Sequence, residues 1–214
     1  MSEPGLELTE LELDALTELV NIGVSRAAAS LRKMIGVQVL LSVPGIEIVP
    51  RDVAAQLIGG REDSQLVAVH QDFEGAFSGN ALLIFPERSS LELVRSVTGG
   101  ELAESELADM EEEALAETGN IILNGCLATM ANMLHRTLNM SLPAVVRGSG
   151  PTLFQAASPA SSGSMVLFLY INFSVQDRDI RGYIAMLMDL PSLASLKQLV
   201  GAFIERVAGA DADL

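Results

Sequence analysis

Residues 13–46 lie over residues 112–145 without a gap, and this self-similarity restricts the chain to folds built from two copies of one unit. The superposition pairs Ala15 with Ala114, Leu16 with Leu115, Glu18 with Glu117, Asn21 with Asn120 and Ile22 with Ile121. Further along it pairs Ala29 with Ala128, Met34 with Met133, Ser42 with Ser141 and Pro44 with Pro143. The polar matches are few, so each asks for a reason. Asn21 and Asn120 ask most, because an asparagine inside a helix competes for nearby backbone groups and lowers helix propensity.

The hydrophobic pattern repeats in the same order. Helical periodicity from about Thr9 to Met34 opens on a capping box, Thr9 with Glu12 three residues on, and closes at Gly36. "VQVLLSVPGIEIV" reads as a strand broken at Pro44 and Gly45, and Asp52 to Leu57 as a short helix closed by "IGG". "LVAVHQDFEG" and "FSGNALLIFP" are close enough to pair as a hairpin, followed by a helix in "RSSLELVRSVTGG" with a serine start and a Gly-Gly stop. The second half gives a helix from about Glu106 to Leu138, then "SLPAVVRG", a Pro/Ser/Gly loop around Ser158 to Ser164, strands in "MVLFLYINFSV" and "RGYIAMLMDL", and a closing helix "SLASLKQLVGAFIERVAG". Each unit alone leaves a sheet edge and an apolar helix face open. The expected fold is therefore α+β: a tandem pseudo-twofold repeat of helix–strand–X–strand–strand–helix units sharing one mainly antiparallel sheet packed by helices. One intertwined domain over residues 1–214 is expected, with repeats at about 9–100 and 106–208.

Composition narrows the function. With 49% apolar residues the core can be substantial, and a formal charge of −15 would repel a phosphate backbone or an anionic bilayer, so nucleic acid is an improbable partner. The acidic start "MSEPGLELTE" lacks the parts of a signal peptide, and the apolar run "MVLFLYINF" is far short of the ~20 residues of a spanning helix. No membrane insertion and a cytoplasmic location are expected. His70 and His135 are isolated, so neither a metal site nor a bound cofactor is expected. Cys126, among Leu123, Leu127 and Met130 at helical spacing, reads as a buried, inert thiol.

Positions i, i+4, i+7 and i+11 share a helix face. In the first long helix they are Asp14, Glu18, Asn21 and Ser25; in the second, Glu113, Glu117, Asn120 and Asn124. Taken singly, such a stripe is a solvated face with acids near the helix start, where they suit the macrodipole. Its recurrence at equivalent positions, with Pro44 and Pro143 at the same distance beyond each Asn, weakens that account.

The pattern D/S-x3-E-x2-N-x22-P resembles the signature of the CheC, CheX and FliY phosphatases of bacterial chemotaxis. Asp14, Glu18, Asn21 and Pro44 match it fully; Glu113, Glu117, Asn120 and Pro143 depart only at the first position. Two E-x-x-N sites resemble CheC, whereas CheX carries one, and FliY has a further switch domain for which this chain has no room. The resemblance implies hydrolysis of the aspartyl phosphate of a CheY-type response regulator. Asn21 and Asn120 would orient the attacking water, because a neutral carboxamide can hold water without adding negative charge beside a phosphoryl group. Glu18 and Glu117 would meet the receiver's active-site lysine and set the docking register. Asp14 and Glu113 would support them, with Ser25 and Asn124 completing the stripes, while Pro44 and Pro143 would fix the end of a strand. Mg2+ is expected in the receiver and not in this chain, and a CheD-like deamidase is a possible second partner. The competing reading is a non-catalytic chemotaxis module that docks receivers or a CheD-like protein.

Overall fold

The computed structural model describes residues 8–60, 65–97, 104–157, 165–175 and 178–212. Helix α1 (Glu10–Ile35) starts where expected: the Thr9 side chain accepts from the Glu12 backbone N–H, and the Glu12 carboxylate accepts from the Thr9 N–H at 2.7 Å. Then come β1 (Val39–Pro50), α2 (Arg51–Gly59), the hairpin β2 (Leu66–Gly75) and β3 (Gly79–Pro86), and α3 (Glu87–Val97). The second half runs α4 (Glu104–Met133), β4 (Leu138–Met140), β5 (Ala144–Gly148), α5 (Gly150–Ala157), β6 (Met165–Val175), β7 (Arg178–Met188) and α6 (Leu190–Ala212). Element for element, the second half copies the first, with β4 and β5 together standing for β1.

The seven strands of the described residues form one sheet in the order β1-β6-β7-β3-β2-β4, with β5 also on β2, and each of these pairings is antiparallel. The first strand of each half pairs with the hairpin of the other: β1 lies on β6, and β4 and β5 lie on β2. This exchange intertwines the halves, and the pseudo-twofold axis falls where β3 meets β7. On one face of the sheet α1, α3, α4 and α6 bury Leu16, Leu19, Leu93, Leu123, Leu127 and Leu196 against Val67, Val69, Phe73 and Phe173. On the other face α2 and α5 cover Ala68, Ile84 and Phe168 with Ile58, Leu153 and Phe154. Alternation along β2 sorts its residues between these two cores, as a sheet covered on both faces requires.

Two expectations need correction. The second long helix ends at Met133 and not near Leu138. It stops because His135 adopts φ 55°, and the Arg136 N–H reaches back to the Ala131 carbonyl at 2.8 Å. This is the left-handed exit that Gly36, at the equivalent place, makes in α1 with φ 74°. A histidine marks a stop far more weakly than a glycine does, so the sequence pattern runs the helix on. The second difference is α5, a helix mirroring α2 in a stretch that the pattern left without structure. The loop assigned to Ser158 to Ser164 lies outside the described residues. Since a side chain in the left-handed region costs about 1 kcal/mol that glycine avoids, His135→Gly is expected to raise the melting temperature by about 2–4 °C. Thermal unfolding of the variant checks it.

Candidate functional site

Both motif helices pack on the same face of the sheet and against each other. Their crossing is made of small residues: a Cβ at Gly23 would stand 2.8 Å from the Cα of Cys126, and one at Gly125 2.8 Å from the Cβ of Ala27. The stripes are left on the outer side. Asp14, Glu18 and Ser25 are exposed on α1, as are Glu113 and Glu117 on α4, while Asn21, Asn120 and Asn124 are half-buried at the helix–sheet boundary. Neither stripe is swallowed by the core. Cys126 lies wholly buried at the crossing, and burial pushes its thiol up to about 12, so it stays protonated and unreactive at neutral pH.

The spacing from Asn21 to Pro44 has a structural cause. β1 pairs Ser42 with Asn172 and then Gly45 with Tyr170, so two residues of β1, Val43 and Pro44, face one of β6. This is a β-bulge, and Pro44, which has no N–H to give, sits in it. The Val43 backbone, displaced from the ladder, bonds instead to the Asn21 side chain: its N–H donates to Oδ1 at 2.9 Å and its carbonyl accepts from Nδ2 at 3.2 Å. Pro44 thus marks a bulge inside β1 and not its end, whereas Pro143 stands directly before the first residue of β5.

The second copy has the same bulge but a different lock. Met140 pairs with Phe73 and Ala144 with His70, again one residue in excess, with Pro143 in the gap. Here the buried Gln71 stands between helix and strand. Its Nε2 donates to Asn120 Oδ1 at 3.1 Å and to the Ser141 carbonyl at 2.9 Å. Asn124 Nδ2 also donates to Asn120 Oδ1, at 2.6 Å. Ser141 ties the bulge to β2, its N–H donating to the Asp72 carbonyl and its Oγ accepting from the Asp72 N–H, both at 2.9 Å. Leu142, the counterpart of the buried Val43, is 89% exposed. Sequence reasoning passed over Gln71, although it falls in phase with Val67, Val69 and Phe73 on the inward side of β2, where a polar residue is out of place.

Among the described residues there is no cluster of His, Cys, Asp and Glu able to hold a metal ion, and no helix long and apolar enough to cross a membrane. What the geometry offers is two helices, each presenting a carboxylate and, one turn on, a carboxamide tied to a strand bulge, directly at Asn21 and through Gln71 at Asn120.

Comparison with known proteins gives two family matches: the CheC-like family over residues 11–48, and the chemotaxis phosphatase CheX over residues 67–169. The first span contains the whole of the first motif and the second span the whole of the second. The chain is 24% identical over 188 residues to CheC1 of Halobacterium salinarum, covering 86% of this chain and 93% of that protein. It is 23% identical over 210 residues to CheY-P phosphatase CheC of Bacillus subtilis, covering 91% and 96%. The crystal structure of Thermotoga maritima FliY superposes with a TM-score of 0.72 at 16% identity, covering 92% of this chain and 98% of that one, a likeness of fold. Both motifs, the duplicated architecture and these matches agree in one direction: the chain is similar to the CheC, CheX and FliY chemotaxis proteins along both of its halves.

Proposed function

We propose that this chain is a phosphatase acting on the aspartyl phosphate of a CheY-type receiver. The observation that carries the reading is the paired stripe: Glu18 with Asn21 and Glu117 with Asn120, each pair on one outward helix face, with Asn21 held by the β1 bulge and Asn120 by Gln71 and Asn124. A helix can deliver both groups into a shallow receiver site with less loss of precision than a loop. The receiver supplies the divalent metal and the lysine that neutralise the phosphoryl oxygens; this chain supplies the placement of water. The water oxygen bonds to phosphorus as the acyl P–O bond breaks, which returns the aspartate carboxylate and releases inorganic phosphate carrying the water's proton. Asn120 suits this role well: its Oδ1 is occupied by two donors, so its free Nδ2 can hold the water oxygen while the remaining lone pair faces phosphorus. The name of the Bacillus subtilis relative supports the substrate class.

A second reading has one observation in its favour. Asn21 uses both ends of its carboxamide on Val43, as a purely structural clamp would, which suits a docking module at the first site. Turnover separates the two. With a phosphorylated CheY-type receiver and Mg2+, the chain is expected to accelerate loss of acyl phosphate. Glu18→Ala and Glu117→Ala together should raise KM about ten-fold or more with a smaller change in kcat, as for groups that dock the receiver and do not hold the water. No acceleration over the receiver's own hydrolysis would give the lead to the docking module, and a CheD-like protein would be the next partner to assay.

A further inference from the structure

We propose that Gln71 is a positioning residue that fixes the carboxamide of Asn120 with its Nδ2 outward, a device that the first site lacks because Ile171 occupies the corresponding place. The inference rests on the phosphatase reading for its kinetic consequence, and on the geometry of β2 and β6 for the rest.

The correspondence follows from the strand registers. Leu41 of β1 pairs with Phe173, and Met140 of β4 pairs with Phe73. Leu41 and Met140 are equivalent in the repeat, so Phe73 and Phe173 are as well, and Gln71 and Ile171 each lie two residues earlier on the same inward side. Ile171 belongs to the apolar core at 4% exposure. Gln71 is completely buried, and its Oε1 has no hydrogen-bond partner among the described residues. A buried polar group with an unpaired acceptor lowers stability relative to an aliphatic residue of similar size. Isoleucine at the pseudo-symmetric position demonstrates that the architecture accepts one there. Gln71 is therefore retained against stability, and the bonds its Nε2 makes show where it acts. One links to Asn120 Oδ1, the other to the Ser141 carbonyl at the start of the bulge.

Those bonds decide which end of Asn120 faces the receiver. A carboxamide placed between two donors, Gln71 Nε2 and Asn124 Nδ2, must point its oxygen at both, leaving Nδ2 as the outward group. Without Gln71, only Asn124 opposes rotation of the amide, and the Ser141 carbonyl loses its partner, so the amide can turn inward. At the first site that turn is what is seen: with Ile171 at the strand position corresponding to Gln71, Asn21 bonds to the backbone of Val43.

The test replaces Gln71 with Ile, and separately with Met, which keeps the length and loses the donor, each in an Asn21→Ala background so that all turnover comes from the second site. The expected result is a fall in kcat of about ten-fold with KM changed less than about two-fold, since docking by Glu117 is untouched. Thermal stability should be equal to or above that of the background protein, an outcome that a merely structural role for Gln71 would not give. The Asn120 side-chain amide resonances should move and broaden in the same variants. Unchanged kcat, or Asn120 resonances that stay in place, overturns the proposal. If the parent protein has no phosphatase activity, the phosphatase reading falls instead, and the amide resonances alone decide whether Gln71 holds Asn120.

Discussion

Alanine at both Asn21 and Asn120 is expected to remove the acceleration of receiver dephosphorylation, a loss of about 10²-fold or more, with receiver affinity changed only about two- to three-fold. The carboxamides are neutral and half-buried, so docking should depend mainly on the exposed carboxylates one turn back. The single variants should then differ in stability. Asn21→Ala deprives the Val43 N–H and carbonyl of their partner next to a proline that cannot replace it, and unpaired backbone groups in a partly buried place cost about 1–3 kcal/mol. Asn120→Ala leaves Gln71 still bonded to Ser141 and takes one side-chain bond from Asn124, with no backbone group left unpaired, so its cost should be smaller. Kinetics on the double variant and thermal unfolding of the two single variants check both halves. Full rate enhancement in the double variant would remove the water-holding role, and equal stability of the single variants would remove the clamp.

The difference between the two asparagines shows what the sequence discloses and what it hides. The repeat, the long helices, the hairpins and the exposed stripes were all legible, because each rests on a local pattern: period 3.6, period 2, a capping box or a glycine stop. The stop at His135 was not, since histidine enters the left-handed region far less often than glycine and is a weak mark of a helix end. Nor was α5, whose Gly-Pro start reads as a turn; it forms where Leu153, Phe154 and Ala157 find an apolar face of the sheet to cover. The spacing from Asn to Pro was visible as a pattern, but its reason was not. A bulge is a property of two strands in register, and β1 takes its partner, β6, from the other half of the chain. Gln71 could have been found by phase along its strand, yet its partners, Asn120 and Ser141, lie 49 and 70 residues away. Its meaning depends on the exchange of strands between repeats.

That exchange makes the crossing of α1 and α4 the joint between the two halves, and Gly23→Val should be severely destabilising there. Exchanging glycine for another residue inside a helix normally gains propensity, by up to ~1 kcal/mol for alanine, because glycine loses the most backbone entropy on folding. At Gly23 this gain is outweighed. The added Cβ would meet the Cα of Cys126 at 2.8 Å and its carbonyl oxygen at 3.0 Å, and backbone atoms cannot move aside as the end of a flexible side chain can. The helices must separate, and the close packing of Leu19, Ala27, Ile122 and Leu123 between them and the sheet separates with them. A loss of about 3 kcal/mol or more is expected, which for a chain of this size lowers the melting temperature by about 6–12 °C. Gly201 provides the control of opposite sign. It lies within α6 with nothing within 4 Å of its added Cβ, so Gly201→Ala should stabilise by about 0.5–1 kcal/mol. Thermal unfolding of both variants decides the matter: a Gly23 variant as stable as the parent would mean that the helices carrying the two motifs do not meet at this crossing, and the spacing of the two sites would then rest on the sheet alone.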